Sequence, residues 1–401
     1  MPGGAALDGL RVLDLTDLKG ALAGRLLADL GADVIKVEPL GGDSTRHIGP
    51  FADGRPHPDR SLCFWFYNLN KRSVTLDYNH ARGADLLLRL AESADAVIES
   101  FEPGRLEQLG LAWEDLHERN PALILCSIAP FGQSGPYRDF AADDTVLSAL
   151  SGMLYVNGFA GETPVRPLGL QAYHCAGYYG AISIMCALFA RERGGHGQWI
   201  DLSMQEAAVC GVEHVAPSYF GLNQISRRRG TLHWAGGFRL GQCRDGYVLH
   251  STSGDWTTLL EWVNGDGKAQ DLTQPQWSEP AYRRANAAHL FDVLEDWARD
   301  QSCEAIAARA QTLRLPYAMP RSINDLLNDE QLKARGYFVE VEHPELGRKF
   351  LYPGAPYLLS ATPWRLYRRP PLLGEHNKEV LAGELDLTVE EIAVLRAEGV
   401  C

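Results

Sequence analysis

Blocks of apolar and polar residues along the first half of the chain predict its elements one after another. Leu10-Arg-Val-Leu-Asp-Leu-Thr16 is a short branched run that reads as a buried strand, and residues 21–31 carry helical spacing that stops on Gly31. Ala32–Glu38 is a second strand. Strand, helix and strand within about thirty residues predict a βαβ unit and hence a parallel sheet. The alternation continues with a strand at Ser73–Leu76, a helix over 81–93, a strand at Ala94–Glu99, two short helices and a strand at Ala122–Ser127. A helical pattern follows over Thr145–Leu154, then a strand at Trp199–Met204 and a helix capped by Ser203 with Glu206 three residues on. Later, Gly246–Thr252 reads as a strand, and helical patterns dominate from Trp256 to Leu313. Val339–Leu351 and Tyr357–Ser360 read as strands returning to the first domain, and 389–397 as a last helix.

One stretch breaks the amphipathic rule. From Tyr173 to Ala190 there are 18 residues without a formal charge, too apolar all round for an ordinary surface helix. Such a helix either spans a membrane or lies inside a large domain. No second apolar span accompanies it, the cluster Arg191-Glu192-Arg193 ends it, and a strand follows at once. It is therefore expected to be a central helix of an α/β core, opening at a polar mouth of Gln171, Tyr173 and His174. The unpaired N–H groups and positive potential of a helix N-terminus make such a mouth a place for substrate.

The chain has 401 residues, 45% apolar and 22% charged, with a net charge of −13. This composition fits a globular enzyme of more than one domain and argues against a nucleic-acid surface, which needs a basic stripe. Eight cysteines without C-x-x-C spacing or clustering lead to the expectation of reduced thiols in a cytoplasmic protein. The opening Met1–Leu10 lacks a basic region followed by an apolar run, so no secretory signal is expected.

Chemistry-bearing residues gather at predicted strand ends and loops. Asp17-Leu-Lys-Gly-Ala-Leu-Ala-Gly24 lacks the closely spaced glycines of a dinucleotide fingerprint, which argues against NAD chemistry. Residues 40–62, rich in Gly and Pro, read as a surface excursion. The aromatic cluster from Phe64 leads into Asn70, Lys71, Arg72 and Ser73, where a basic pair beside aromatics either clamps phosphate or forms a solvated turn. Glu99-Ser-Phe-Glu-Pro-Gly104 sits at a strand end, the usual ligand position in open parallel sheets. Asp143-Asp144 reads first as helix capping. His233-Trp-Ala-Gly-Gly237 reads either as a mobile flap or as an ordinary loop. The twelve histidines show no H-x-x-x-H spacing, so no metal site is expected.

Several of these segments together resemble family III CoA-transferases, the group of formyl-CoA transferase, crotonobetainyl-CoA transferase and alpha-methylacyl-CoA racemase. They are Leu7–Thr16, Leu26–Glu38, Asn70-Lys-Arg-Ser73, Pro130–Pro136, Ala190–Ser203 and Pro371–Asn377, in the family's order along almost the whole chain. The resemblance implies an α/β fold with a Rossmann-like parallel-sheet large domain from both chain ends, residues 1–215 and 330–401. A smaller α/β domain, rich in helix, would span 225–325, and two chains would interlock as a ring-like homodimer. It implies coenzyme A as substrate or thioester, an acyl-CoA or carboxylic acid partner, and no metal, membrane or nucleic acid.

In the transferases an aspartate near the start of the central helix attacks the thioester. Counting back four residues from Gly177 and eighteen from Arg191 reaches Tyr173 both times, and no Asp or Glu occurs from Pro167 through Ala190. The racemase histidine corresponds to Asp143, with Asp144 beside it. The candidate catalytic groups are therefore Tyr173, His174, Asp143, Asp144 and the loop residue His233. By the same resemblance the candidate CoA-binding residues are Lys19, Asn70, Lys71, Arg72, Phe101, Gly236 and Gly237. The expected function is an acyl-CoA enzyme with non-classical chemistry, because Tyr173 stands where the nucleophilic aspartate is expected. The alternative is a CoA-independent biosynthetic enzyme (lyase, dehydratase or isomerase) or a small-molecule binding protein on the same fold.

Overall fold

A computed structural model describes residues 4–233 and 236–401. Trp234 and Ala235 of the expected flap, and Met1–Gly3 of the opening segment, lie outside the described residues. The chain forms two compact units, one of residues 1–154, 166–224 and 336–401, the other of 155–165 and 225–335.

The first unit is built on six parallel strands: β1 (Arg11–Leu15), β2 (Asp33–Glu38), β3 (Arg72–Thr75), β4 (Ala96–Glu99), β5 (Ile124–Ala129) and β6 (Gln198–Ser203), in the order β3-β2-β1-β4-β5-β6. The order reverses direction between β1 and β4, which opens a crevice at their C-terminal ends. Successive strand residues face opposite layers, so each strand must be apolar on both sides. Val12, Val34, Ile98 and Ile128 enter one core with the central helix Gln171–Gly194, whereas Leu13, Ile35, Val37 and Leu125 enter the other with the helix Ala81–Glu92.

The C-terminal helices Asn377–Gly383 and Val389–Ala397 complete that second core through Val380, Leu381, Ile392 and Leu395. They arrive beside the outer edge of β3, where the Thr75 N–H donates to Asn377 Oδ1 at 2.8 Å and the His376 N–H to the Ser73 carbonyl at 2.9 Å. A bare strand edge would invite pairing with other chains, and this segment covers it.

Residues 40–62 are not simply a surface excursion. Short turns there bring Arg46 wholly inside, where it forms a bidentate pair with Glu38 at 2.6 and 2.8 Å. The paired charge explains why so polar a segment folds inward. Tyr357–Ser360, expected as a strand, has no strand hydrogen bonding. Its neighbours in sequence form an antiparallel hairpin of Phe338–His343 and Arg348–Pro353.

The second unit pairs β7 (Leu232–His233), β8 (Phe238–Cys243) and β9 (Gly246–Ser251) antiparallel against helices Trp256–Gly265, Ala287–Ala298 and Cys303–Thr312. Its core holds Trp277, Trp297, Phe291 and Tyr317. Here the expectation of uniformly reduced thiols is corrected, because Cys243 and Cys303 form a disulfide between β8 and a helix start, 60 residues apart. Residues so far apart in sequence meet only in the fold. Asp245 completes the one group of metal-type donors among the described residues, and its two sulfurs are bonded to each other.

His250 is fully buried against Trp297 and Tyr317, and neither ring nitrogen has a partner among the described residues. Burial, reinforced by Arg239, pushes its imidazole down to about 3. The unfolded chain takes up this proton near pH 6.5 but the folded chain does not, so stability is intact above that pH and declines below it. The His250 share of the decline approaches about 1.4 kcal/mol per pH unit. Urea unfolding at pH 7.5 and 5.0 is expected to show this loss, and His250→Leu to flatten it; an unchanged slope in the variant would contradict the assignment.

Candidate active site

The central helix runs 24 residues from Gln171. Tyr173, Ala176, Gly177, Gly180, Ala181, Ile184, Ala187 and Leu188 form its packed face at a spacing of three and four. Small residues are needed there: a Cβ at Gly177 would stand 2.7 Å from that of Leu22, and one at Gly180 3.2 Å from Ala23. Contrary to the expectation from its composition, the helix is not enclosed on all sides. Tyr178, Tyr179, Ile182 and Phe189 on the other face remain exposed. No helix among the described residues is long and apolar enough to cross a membrane.

No side chain of its own caps this helix. Asp144 does so from another element: its Oδ1 accepts from the Ala172 and Tyr173 N–H groups at 3.0 and 3.2 Å. A carboxylate there satisfies two otherwise unpaired donors and complements the helix dipole. Its second oxygen is buried without a hydrogen bond, with Arg166 Nη2 at 3.6 Å. Asp143 caps its own helix, Asp144–Leu150, by accepting from the Val146 N–H at 2.9 Å.

The mouth thus brings together Asp144, Tyr173 and His174, and adds a residue that sequence reasoning missed. His174 Nε2 lies 2.8 Å from the Tyr67 hydroxyl. Burial lowers the His174 imidazole against the opposing pull of Asp144, so it is neutral at neutral pH. Burial also raises the Tyr67 phenol, with Cys63, Asp144 and Tyr178 adding to the effect. Tyr173 is pushed up to about 12 by burial and by Asp17, Asp143 and Asp144. It is therefore a protonated phenol, able to donate a hydrogen bond and unable to act as a carboxylate. The only sequence signal for Tyr67 was its place in the aromatic run from Phe64.

Asn70, Lys71 and Arg72, expected among the CoA-binding residues, are engaged with groups of the chain itself. Lys71 is fully buried, donating to Asp14 at 2.6 Å, Asn68 at 3.0 Å and the Ala21 carbonyl at 3.1 Å. Arg72 is enclosed by Asp33, Glu379 and Glu384. Asn70, at φ 65°, uses its amide on Asp29 and on the Tyr367 and Arg368 N–H groups. Through these contacts the three residues join distant chain segments.

Lys19 is paired with Asp17 at 2.5 Å. Phe101 lies against Tyr78, ring centres 5.6 Å apart, and both line a cavity of about 220 Å³ with Asp17, Asp43 and Ser100. This cavity occupies the crevice at the ends of β1, β2 and β4. His233, Gly236 and Gly237 belong to the second unit, where His233 is exposed on β7 and the two glycines line a separate cavity of about 190 Å³.

The sequence profile of CoA-transferase family III matches residues 7–377. The chain belongs to CoA-transferase family III. It is similar to the succinyl-CoA:(R)-benzylsuccinate CoA-transferase subunit BbsE of Thauera aromatica, 33% identical over 380 residues that cover 92% of each chain. It is 32% identical over 400 residues to the succinyl-CoA–L-malate CoA-transferase beta subunit of Chloroflexus aurantiacus, with 98% of both chains covered. Among solved structures it is similar to a CAIB/BAIF family protein from Brucella suis, with a TM-score of 0.85, 30% identity, and 95% of this chain and 99% of the other covered.

For this family III chain the buried pairing makes a sharp prediction. Lys71→Ala removes the nearer of the two ammonium groups from the buried Asp14 carboxylate and is expected to cost about 3 kcal/mol of stability. Lys19→Ala breaks a half-exposed pair and is expected to cost no more than about 1 kcal/mol. Urea titration of both variants checks the contrast; equal effects would contradict it.

Proposed function

We propose that this chain is an acyl-CoA enzyme that moves CoA between two carboxylic acids without storing the acyl group on its own central helix. The observation that carries this reading is Tyr173, a protonated phenol at the helix mouth beside the Tyr67–His174 hydrogen bond. The family and its named transferases support the acyl-CoA chemistry.

Transfer can proceed without a protein carboxylate if both acids are bound together. The acceptor carboxylate attacks the thioester carbonyl, the C–S bond breaks, and CoA thiolate and a mixed anhydride of the two acids result. The thiolate then attacks the acceptor-derived carbonyl, and the donor acid leaves as carboxylate. Every atom is conserved and no proton is required overall. Tyr173 donates a hydrogen bond to the oxygen on which charge gathers, and Tyr67, oriented by neutral His174, excludes water beside it. The Tyr78–Phe101 cavity suits the base of CoA, since it offers aromatic faces and no free cation. The relatives' named acids, benzylsuccinate and malate, are dicarboxylic, and we assign this chain a substrate of that class.

Initial-rate kinetics with succinyl-CoA and a panel of dicarboxylic acids test the proposal. Direct transfer predicts intersecting double-reciprocal lines, whereas a stored acyl group gives parallel lines. Tyr173→Phe, which removes the proposed hydrogen-bond donor, is expected to reduce kcat by about tenfold or more. Recovery of an aspartyl or glutamyl hydroxamate on this chain after hydroxylamine treatment would overturn it.

A second reading is favoured by two observations. Both named relatives are subunits, and the exposed Tyr178, Tyr179, Ile182 and Phe189 on the central helix leave an apolar face for another chain. In the first reading that chain is a second copy, forming the interlocked homodimer. In the second it is a sister family III chain that supplies the carboxylate. Native mass measurement of the complex isolated from its own cells distinguishes them: one polypeptide mass supports the homodimer, and two family III masses in equal amount support the mixed assembly.

A further inference from the structure

The cavity of about 190 Å³ in the second unit joins the Gly236–Gly237 turn, Thr252 and Ser253 to the adjacent arginines Arg283 and Arg284. Its floor is specific to glycine. Gly236 has φ +91°, and a Cβ there would lie 2.9 Å from that of Ala287. The Thr252 N–H holds the turn by donating to the Gly237 carbonyl at 2.9 Å.

The arginines are oriented but not neutralised. Arg283 Nη1 donates to the Trp277 and Ser278 carbonyls at 2.7 and 2.8 Å, and its guanidinium carbon sits 4.8 Å from the centre of the Trp256 ring. These contacts fix the group while leaving its charge uncompensated. Among the described residues neither Arg283 nor Arg284 has a carboxylate within ion-pair distance, although Glu279 is near enough to act on Arg283 through space. Burial and the like charge of Arg284 both push the Arg283 guanidinium downward. In a chain of net charge −13, two adjacent cations held unpaired over a cavity with two hydroxyls make a ready receptor for an anion.

We propose that this cavity is a binding site for an oxyanion, a carboxylate or phosphate group carried by a ligand, held by Arg283 and Arg284 above the Gly236–Gly237 turn. The cavity is too small for a whole cofactor and takes the charged end of a larger molecule. An oxyanion there relieves the repulsion between the two guanidinium groups and accepts their free N–H donors, with the Ser253 hydroxyl as a further donor. The site stands on the second unit's own residues. Gly236 and Gly237 are also CoA-binding candidates by resemblance, but Arg283, Arg284 and Ser253 are not, so variants at these positions separate a failure of this site from a failure of the acyl-CoA reading.

Binding to the full chain is measured by calorimetry and by tryptophan fluorescence, because an anion that draws on Arg283 changes the surroundings of Trp256. The probes are succinate, inorganic phosphate and CoA, each titrated alone at low and moderate salt. Binding of succinate but not phosphate makes the site a carboxylate site, and binding of phosphate or CoA makes it a phosphate site. Either supports the proposal if Arg284→Gln, at an exposed position, weakens that binding by about tenfold or more with circular dichroism unchanged. Trp256→Phe is expected to remove the fluorescence response while leaving the heat of binding. No binding of any of the three probes, or the same affinity in wild type, Arg284→Gln and Ser253→Ala, would overturn it.

Discussion

The carboxylate of Asp14, buried in the middle of the sheet between two ammonium groups, is the constraint around which the first unit is arranged. Lys71 approaches it at 2.6 Å and Lys36 at 3.5 Å, all three fully enclosed. Burial alone would raise the Asp14 carboxyl, but the two lysines outweigh it and hold it at about 2. The lysines are unequal. Asp14, Asp43 and Glu38 overcome burial and raise Lys36, whereas burial and the charge of Lys36 lower Lys71. An isolated ion in such a place is costly, so the partners are obligatory once one is inside. Even the neighbouring helix obeys the cluster, because a Cβ at Gly24 would stand 2.4 Å from Asp14 Oδ2.

This cluster decides what the strand ends can offer a ligand. Cations that a nucleotide's phosphates would need are already committed to Asp14, Asp33 and Glu38, and the crevice between β1 and β4 is left with aromatic rings, hydroxyls and carboxylates. In the second unit, Arg283 and Arg284 line a cavity with no carboxylate within ion-pair distance among the described residues.

The central helix shows the same economy of position. Its packed face is made of small residues so that the helix can approach Leu22 and Ala23, and its first N–H groups are answered by Asp144 from another helix. A carboxylate is therefore present at the mouth although none occurs in the helix itself. With one oxygen bound to two N–H groups, Asp144 serves the helix end, and Tyr173 and the Tyr67–His174 pair stand beside it at the mouth.

Much of the fold and one decisive feature of the site were legible in the sequence. Strands such as Asp33–Glu38, the helix Val389–Ala397 and the Ser203 cap follow from local periodicity and capping chemistry, which neighbouring residues specify by themselves. The absence of a carboxylate at position 173 is plain in the letters, and its meaning comes from the resemblance to the family. What Lys71 and Arg72 do was not legible, because an exposed basic pair and a buried one have the same letters, and only the arrival of Asp14, Asp33 and Glu384 tells them apart. Tyr67 meeting His174, Asp144 capping a helix 28 residues away, and Cys243 joining Cys303 are likewise pairings across long stretches of chain. Local pattern determined which elements form, and the resemblance to the family marked where its nucleophile is missing. Tertiary structure alone decided which charges are neutralised, because that depends on partners the chain brings together only when it folds.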